Sequence, residues 1–168
     1  MSSLRFDPKG WDATYIAEKN NLLYLLSCFN FKVEQIGATS INSGRSNRNV
    51  DIMIVAESIP DVYSIVAKLQ TAKYKSLDYL SDSEIVTLVK QTKVNGYGIT
   101  LRVVANASRW HLRINAFQIY LNENYQNIKR YNDFRAELSH KYRHDWKSYY
   151  RCKRDFINAV IDERFKFE

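Results

Sequence analysis

The seven residues Val50 to Ala56, VDIMIVA, constrain the chain most. An apolar run broken by a single acid reads as a central β-strand. The acid, Asp51, sits among Val50, Ile52, Ile54 and Val55. A lone carboxylate in such surroundings is costly unless it is paired, hydrogen-bonded or bound to a metal. The fold must therefore bring a partner to Asp51.

The segments around this strand alternate in type. Trp11, Tyr15, Ile16, Leu22, Leu23 and Leu26 recur at helical spacing. Phe29 to Ile36 alternates as a half-buried strand does, and GATSINSGRSNRN (Gly37 to Asn49) reads as a loop, or a short helix with loop flanks. Ser58 to Ala72 reads as a helix, with Pro60 in its first turn and Val62, Ile65, Val66 and Leu69 on one face. Two β-rich runs, Glu84 to Lys90 and Tyr97 to Val104, flank Asn95-Gly96, a two-residue hairpin signal. From Trp110 onward there is neither Pro nor Gly, and two or three helices are expected, interrupted near Arg143–Asp145. The order predicts one α+β domain over residues 1–168: a mixed-sheet core over 12–104 and a C-terminal helical extension over 105–168.

Composition excludes several classes. At 168 residues with 45% hydrophobic and 26% charged side chains, one globular domain with a real core is expected. No apolar run approaches the ~20 residues of a membrane span. The start, MSSLRFDPKGW, lacks the apolar stretch of a secretory signal. Cys28 and Cys152 make no disulfide framework and no metal-ligand spacing. The expectation is a soluble, cytoplasmic protein. Net charge is +7, and the excess is concentrated late: residues 105–168 hold 13 basic and 8 acidic side chains. Such a surface attracts phosphates, or serves as a solvated helix face.

The chemistry concentrates between Val33 and Val55. Gly37 lets backbone amides approach a phosphate closely. Thr39, Ser40 and Ser43 carry hydroxyl donors, and Arg45 and Arg48 can pair with phosphate oxygens. A strand carboxylate such as Asp51 suits Mg²⁺, which takes one or two carboxylates together with substrate phosphates.

This arrangement resembles the nucleotidyltransferase superfamily, whose signature is an apolar residue, Gly and Gly/Ser, then a loop, then two acids alternating along a strand. Residues i and i+2 of a strand face one side, so both acids reach the metal ions. More closely, the chain resembles the GrpB family, a nucleotidyltransferase-like group with the pattern V-E-H-I-G-S-T-A-V-P-G-x-x-x-K-x-x-x-D-I. Val33, Glu34, Ile36, Gly37, Thr39, Ile41, Asp51 and Ile52 match it or differ conservatively. ITLRVV (99–104), the helical stretch from Ser108 to Leu138, and YYRCKRDFI (149–157), with Lys153, Phe156 and Ile157 in place, extend the likeness over most of the chain.

The resemblance implies a nucleotidyltransferase-like fold that binds a nucleotide or another phosphate-bearing ligand. It implies transfer of a nucleotidyl group from an NTP to an acceptor if the chain is active. In that reading Asp51 holds Mg²⁺ with Glu34 as helper. Gly37, Ala38, Thr39, Ser40, Arg45 and Arg48 hold the triphosphate, and Arg102 and Lys153 neutralise charge developing on phosphate. The departures bear on activity: Ala38 replaces the superfamily's Ser, Gln35 and Asn47 replace a His and a Lys, and Met53 stands at the second acid's place. Thr100 and Arg102 replace two His, and no third acid lies between Tyr97 and Val104. One aspartate is little charge for two cations.

Other readings remain open. An inactive chain would be a nucleotide-binding module, an RNA-binding module using its basic C-terminal helices, or a protein-interaction module. Arg135 and His140 form the R-x4-H spacing of small helical RNases, His as base and Arg on phosphate. His140 and His144 form an i, i+4 pair, read either as a metal pair or as solvated histidines. Tyr142, Trp146, Tyr150 and Phe156 read either as a packing stripe or as base-stacking aromatics.

Overall fold

The computed structural model describes residues 4, 6–41, 44–46, 49–91 and 96–165. Among these, five strands form one mixed sheet in the order β1-β2-β5-β4-β3, with β1 Phe31–Ile36, β2 Asn49–Ala56, β3 Lys75–Ser76, β4 Ile85–Gln91 and β5 Gly98–Ala105. Five α-helices accompany it: α1 Pro8–Leu25, α2 Ile59–Thr71, α3 Arg109–Glu123, α4 Tyr125–Lys141 and α5 Trp146–Arg164. The VDIMIVA strand is interior as expected, pairing antiparallel with β1 and parallel with β5.

Strand alternation splits the side chains between two layers. Val50, Ile52, Ile54 and Ala56 of β2 join Ile99, Leu101 and Val103 of β5 in a core with Trp11, Leu22 and Leu26 of the first helical segment and Val62, Ile65, Val66 and Leu69 of α2. Pro60 in the first turn and Ser58, whose hydroxyl accepts from the Asp61 amide, start α2 where the sequence predicts. The opposite face carries Ile36, Met53, Val55, Ile85 and Val104, packed against Trp110 and Ile114 of α3.

The C-terminal helices are more than an appendage. Phe117, Tyr120 and Leu121 of α3, Ile128 and Tyr131 of α4, and Val160 and Ile161 of α5 form a cluster of their own, into which Ala38 and Ile41 insert. These helices thus roof the sheet face that carries Asp51. No helix among the described residues is long and apolar enough to cross a membrane.

Several local expectations change. The loop after β1 begins with a 3₁₀ turn, Gly37–Ser40. The two-residue β3 was not foreseen, since so short an edge strand has no readable alternation. The late segment breaks twice, at Asn124, whose side chain caps α4 by accepting from the Asn127 amide, and at the Tyr142–Asp145 connection. His144 lies in that connection, beyond the end of α4, so it does not share a helix face with His140. Of the expected hairpin turn, Asn95 lies outside the described residues, while Gly96 has φ +68°, the left-handed backbone such a turn uses. Of the aromatic stripe, Trp146 is exposed and the neighbouring Tyr149 is the fully buried ring.

Candidate functional site

The register decides what Asp51 faces. Ile36 on β1 and Thr100 on β5 stand directly opposite it. Met53, two residues on, faces the same side between Glu34 and Arg102 and is fully buried. The strand therefore presents one carboxylate, and the seat of an alternating second acid is a methionine in the floor of the core.

Beside Asp51 the 3₁₀ turn begins at Gly37, with φ +72°, a backbone open to glycine but strained for other residues. The Asp51 carboxylate is the group that a side chain at Gly37 would meet first. The strand acid and the glycine turn thus open on the same space, as the sequence requires for a phosphate-handling site. That space is a cavity of about 190 Å³ between the sheet and the three C-terminal helices. Gly37, Asp51, Arg102 and Lys153 all line it.

Three cations gather around the one acid. Nη2 of Arg102 lies 4.0 Å from Oδ1 of Asp51, both side chains being about one-fifth exposed. Lys153, on the buried face of α5, is only 9% exposed. Burial lowers its pKa, and Arg135 and Arg102 push the same way against the pull of Asp51. Arg135 is buried on α4, donating to the Arg45 carbonyl. Burial opposes its charge, yet Tyr131, Tyr149 and Asp51 outweigh that and hold its pKa above the usual guanidinium value. Tyr150 lines the cavity, and burial, reinforced by Asp51, raises its phenol pKa well above the ordinary value.

The loop's own donors are already engaged. The Gly37 amide donates to Oε1 of Gln118 at 2.7 Å, and Nε2 of Gln118 donates to the Ser40 hydroxyl at 2.6 Å. Ser40 in turn donates to the Gly37 carbonyl at 2.8 Å. Gln118, from α3, thus accepts from the turn's amide and donates to its hydroxyl. Ala38 is packed in the helical cluster, and the Thr39 hydroxyl is buried without a hydrogen-bond partner. Arg45 is exposed, and neither it nor Glu34 lines the cavity. Arg48 and Ser43 lie outside the described residues.

The R-x4-H pair is taken apart by the fold. Arg135 points into the protein toward Arg45 and Tyr149, while His140 is exposed, so the two share no cavity. Among the described residues no group of three or more His, Cys, Asp or Glu is placed to hold a metal ion.

Lys153, assigned to phosphate by the resemblance, and Arg135, the phosphate residue of the R-x4-H reading, each fall on the apolar stripe of their helix: Ile128, Tyr131, Arg135 and Leu138 on α4, and Tyr149, Lys153, Val160 and Ile161 on α5. A cation on such a stripe needs a buried partner. Gln118, Thr87 and Asn158, polar residues that also line the cavity, carry no comparable signal.

Comparison with known proteins places this geometry. A family model described as GrpB protein matches residues 4–163. The glutamate-rich protein GrpB of Alkalihalophilus pseudofirmus is 26% identical over 158 residues, 92% of this chain and 91% of that protein. The crystal structure of GrpB from Enterococcus faecalis superposes with a TM-score of 0.77 at 21% identity, covering 97% of this chain and 96% of the other. The Cid1 poly(U) polymerase, solved with MgATP, is similar in fold at a TM-score of 0.55 and 13% identity, over 83% of this chain and 44% of that one.

Proposed function

This chain belongs to the GrpB family, and from that premise we propose that its cavity binds a phosphate-bearing ligand, a nucleotide or a smaller phosphate ester, by charge and without metal-dependent nucleotidyl transfer. The observation that carries this reading is the excess of cations around Asp51. Arg102 is 4.0 Å away, and Arg135 and Lys153 lie close enough for Asp51 to act on both. A site with more positive than negative charge attracts an anion and repels a divalent cation.

The residues do not fit a resident Mg²⁺. Its octahedral shell is usually anchored by carboxylates, and here the one strand acid has a guanidinium beside it while Met53 fills the second acid's seat. Two-metal transfer asks for more negative charge than this, so no step is routed through a metal. The likeness to Cid1 is one of fold, and function rests on the site's own residues.

The test is a thermal-shift titration with ATP, UTP and inorganic phosphate, in EDTA and again with Mg²⁺. The expected result is a shift of equal size in both buffers. A shift that needs Mg²⁺, with release of pyrophosphate from NTP, would return the chain to the transferases. No shift with any of them would leave a protein-interaction role for the fold, or RNA binding along the basic helices with its steep salt dependence.

A further inference from the structure

We propose that the cavity is built for an aryl-type monophosphate, one phosphate on one ring-sized apolar body, and that a nucleoside triphosphate is not its ligand. This rests on the phosphate-binding reading above and narrows it.

Size is the first argument. Pockets for drug-sized ligands run to about 300–1,000 Å³, and this one encloses about 190 Å³. The cations line its inside, so the charged group must enter rather than hang outside, and it shares the space with whatever it is attached to.

The wall is the second. Besides Arg102 and Lys153 the lining includes Ile85, Trp110, Ile114, Phe117 and Ile157, a set of aliphatic and aromatic surfaces. Such a wall offers nothing to two further phosphates, whose desolvation would go uncompensated. It suits one flat apolar ring.

Charge is the third. Two other cations on the lining are already paired: Arg113 with Asp162 at 2.9 Å and Arg154 with Asp155 at 3.9 Å. The loop amide and hydroxyl are engaged by Gln118. Asp82, exposed on the lining and accepting from Nε1 of Trp110 at 2.8 Å, adds negative charge. What remains is Arg102 and Lys153 on the lining and Arg135 beneath it, set against the carboxylates of Asp51 and Asp82. That balance matches one phosphate monoester of about −1.5 to −2 charge and falls short of a triphosphate.

Calorimetric titration in EDTA at constant ionic strength, with inorganic phosphate, phenyl phosphate and ATP, tests this. Phenyl phosphate is expected to bind at least about tenfold more tightly than either of the others. Ile157→Trp, which fills the apolar half one helical turn from Lys153, is expected to cost phenyl phosphate at least about tenfold more affinity than it costs inorganic phosphate, so that the preference is lost. ATP binding as tightly as phenyl phosphate or more so overturns the proposal while the phosphate-binding reading stands. Inorganic phosphate matching phenyl phosphate on the wild type overturns it equally. If none of the three binds, the phosphate-binding reading itself is wrong.

Discussion

A Cβ placed on Gly37 would stand 3.1 Å from Oδ2 of Asp51. A side chain at position 37 would therefore push the carboxylate back by a few tenths of an ångström, on a backbone already in the left-handed region at φ +72°. Gly37→Ala must bear the left-handed backbone as well, at roughly 1–2 kcal/mol, and must move the carboxylate. We expect the melting temperature to fall by about 2–8 °C and phosphate affinity to drop. A differential scanning measurement with unchanged melting would contradict the fit.

Asp51→Asn separates the two chemistries the sequence left open. In a metal-dependent transferase it abolishes function. In the cationic cavity described above it removes the one charge that opposes an anion, so phosphate should bind about three- to tenfold more tightly, on the order of 1 kcal/mol. Without ligand the variant should be less stable, because Arg102, Arg135 and Lys153 lose their counter-charge. Titration calorimetry and chemical denaturation check the two halves separately.

Lys153 gives a pH signature. Its pKa is lowered in the folded chain by burial first and by Arg135 and Arg102 after it. Between the folded value and the ordinary value of 10.5 the unfolded chain holds more protons, so stability attributable to this group rises with pH. Lys153→Met removes the penalty. The variant should melt above the wild type at pH 7, the gap closing as pH climbs toward 10.5. It should also lose a charge-assisted contact to phosphate, about 10- to 100-fold in affinity. A gap that does not vary with pH would refute the assignment.

Arg135 and His140 should behave oppositely. Arg135→Ala removes a buried guanidinium that donates to the Arg45 carbonyl and meets Tyr149, and a loss of about 3–5 kcal/mol is expected. His140→Ala changes an exposed side chain and should stay within about 0.5 kcal/mol. RNase activity lost with both variants, and not through unfolding, would revive the R-x4-H reading.

Much of the fold was legible because β2 is a short apolar run, α2 keeps helical spacing, β4 and β5 are β-rich runs, and Pro60 and Ser58 mark a helix start. Asp51 was legible too, since an acid in an apolar strand demands a partner. The partners were harder. Arg102 stands diagonal to Asp51 through a parallel pairing that no local pattern encodes, and Lys153 arrives from a helix a hundred residues downstream. Hydrophobic periodicity shows which side of α5 is buried, but not against what. Arg45, Thr39 and Glu34 look like ligand-holding residues by type, yet one is exposed, one is sealed inside and one stands on the sheet beyond the cavity lining. Asn124 could have been found, as Asn is a strong helix-capping residue at the head of a basic helix.

The last helix contributes Tyr150, Lys153, Ile157 and Ile161 to the cavity, while the facing wall comes from the sheet and from α3. A molecule lodged there would act as a keystone, touching both halves of the arch at once. Filling the site should therefore fasten the carboxyl-terminal helix to the rest of the protein, so that its amides exchange with solvent more slowly when the keystone is in place.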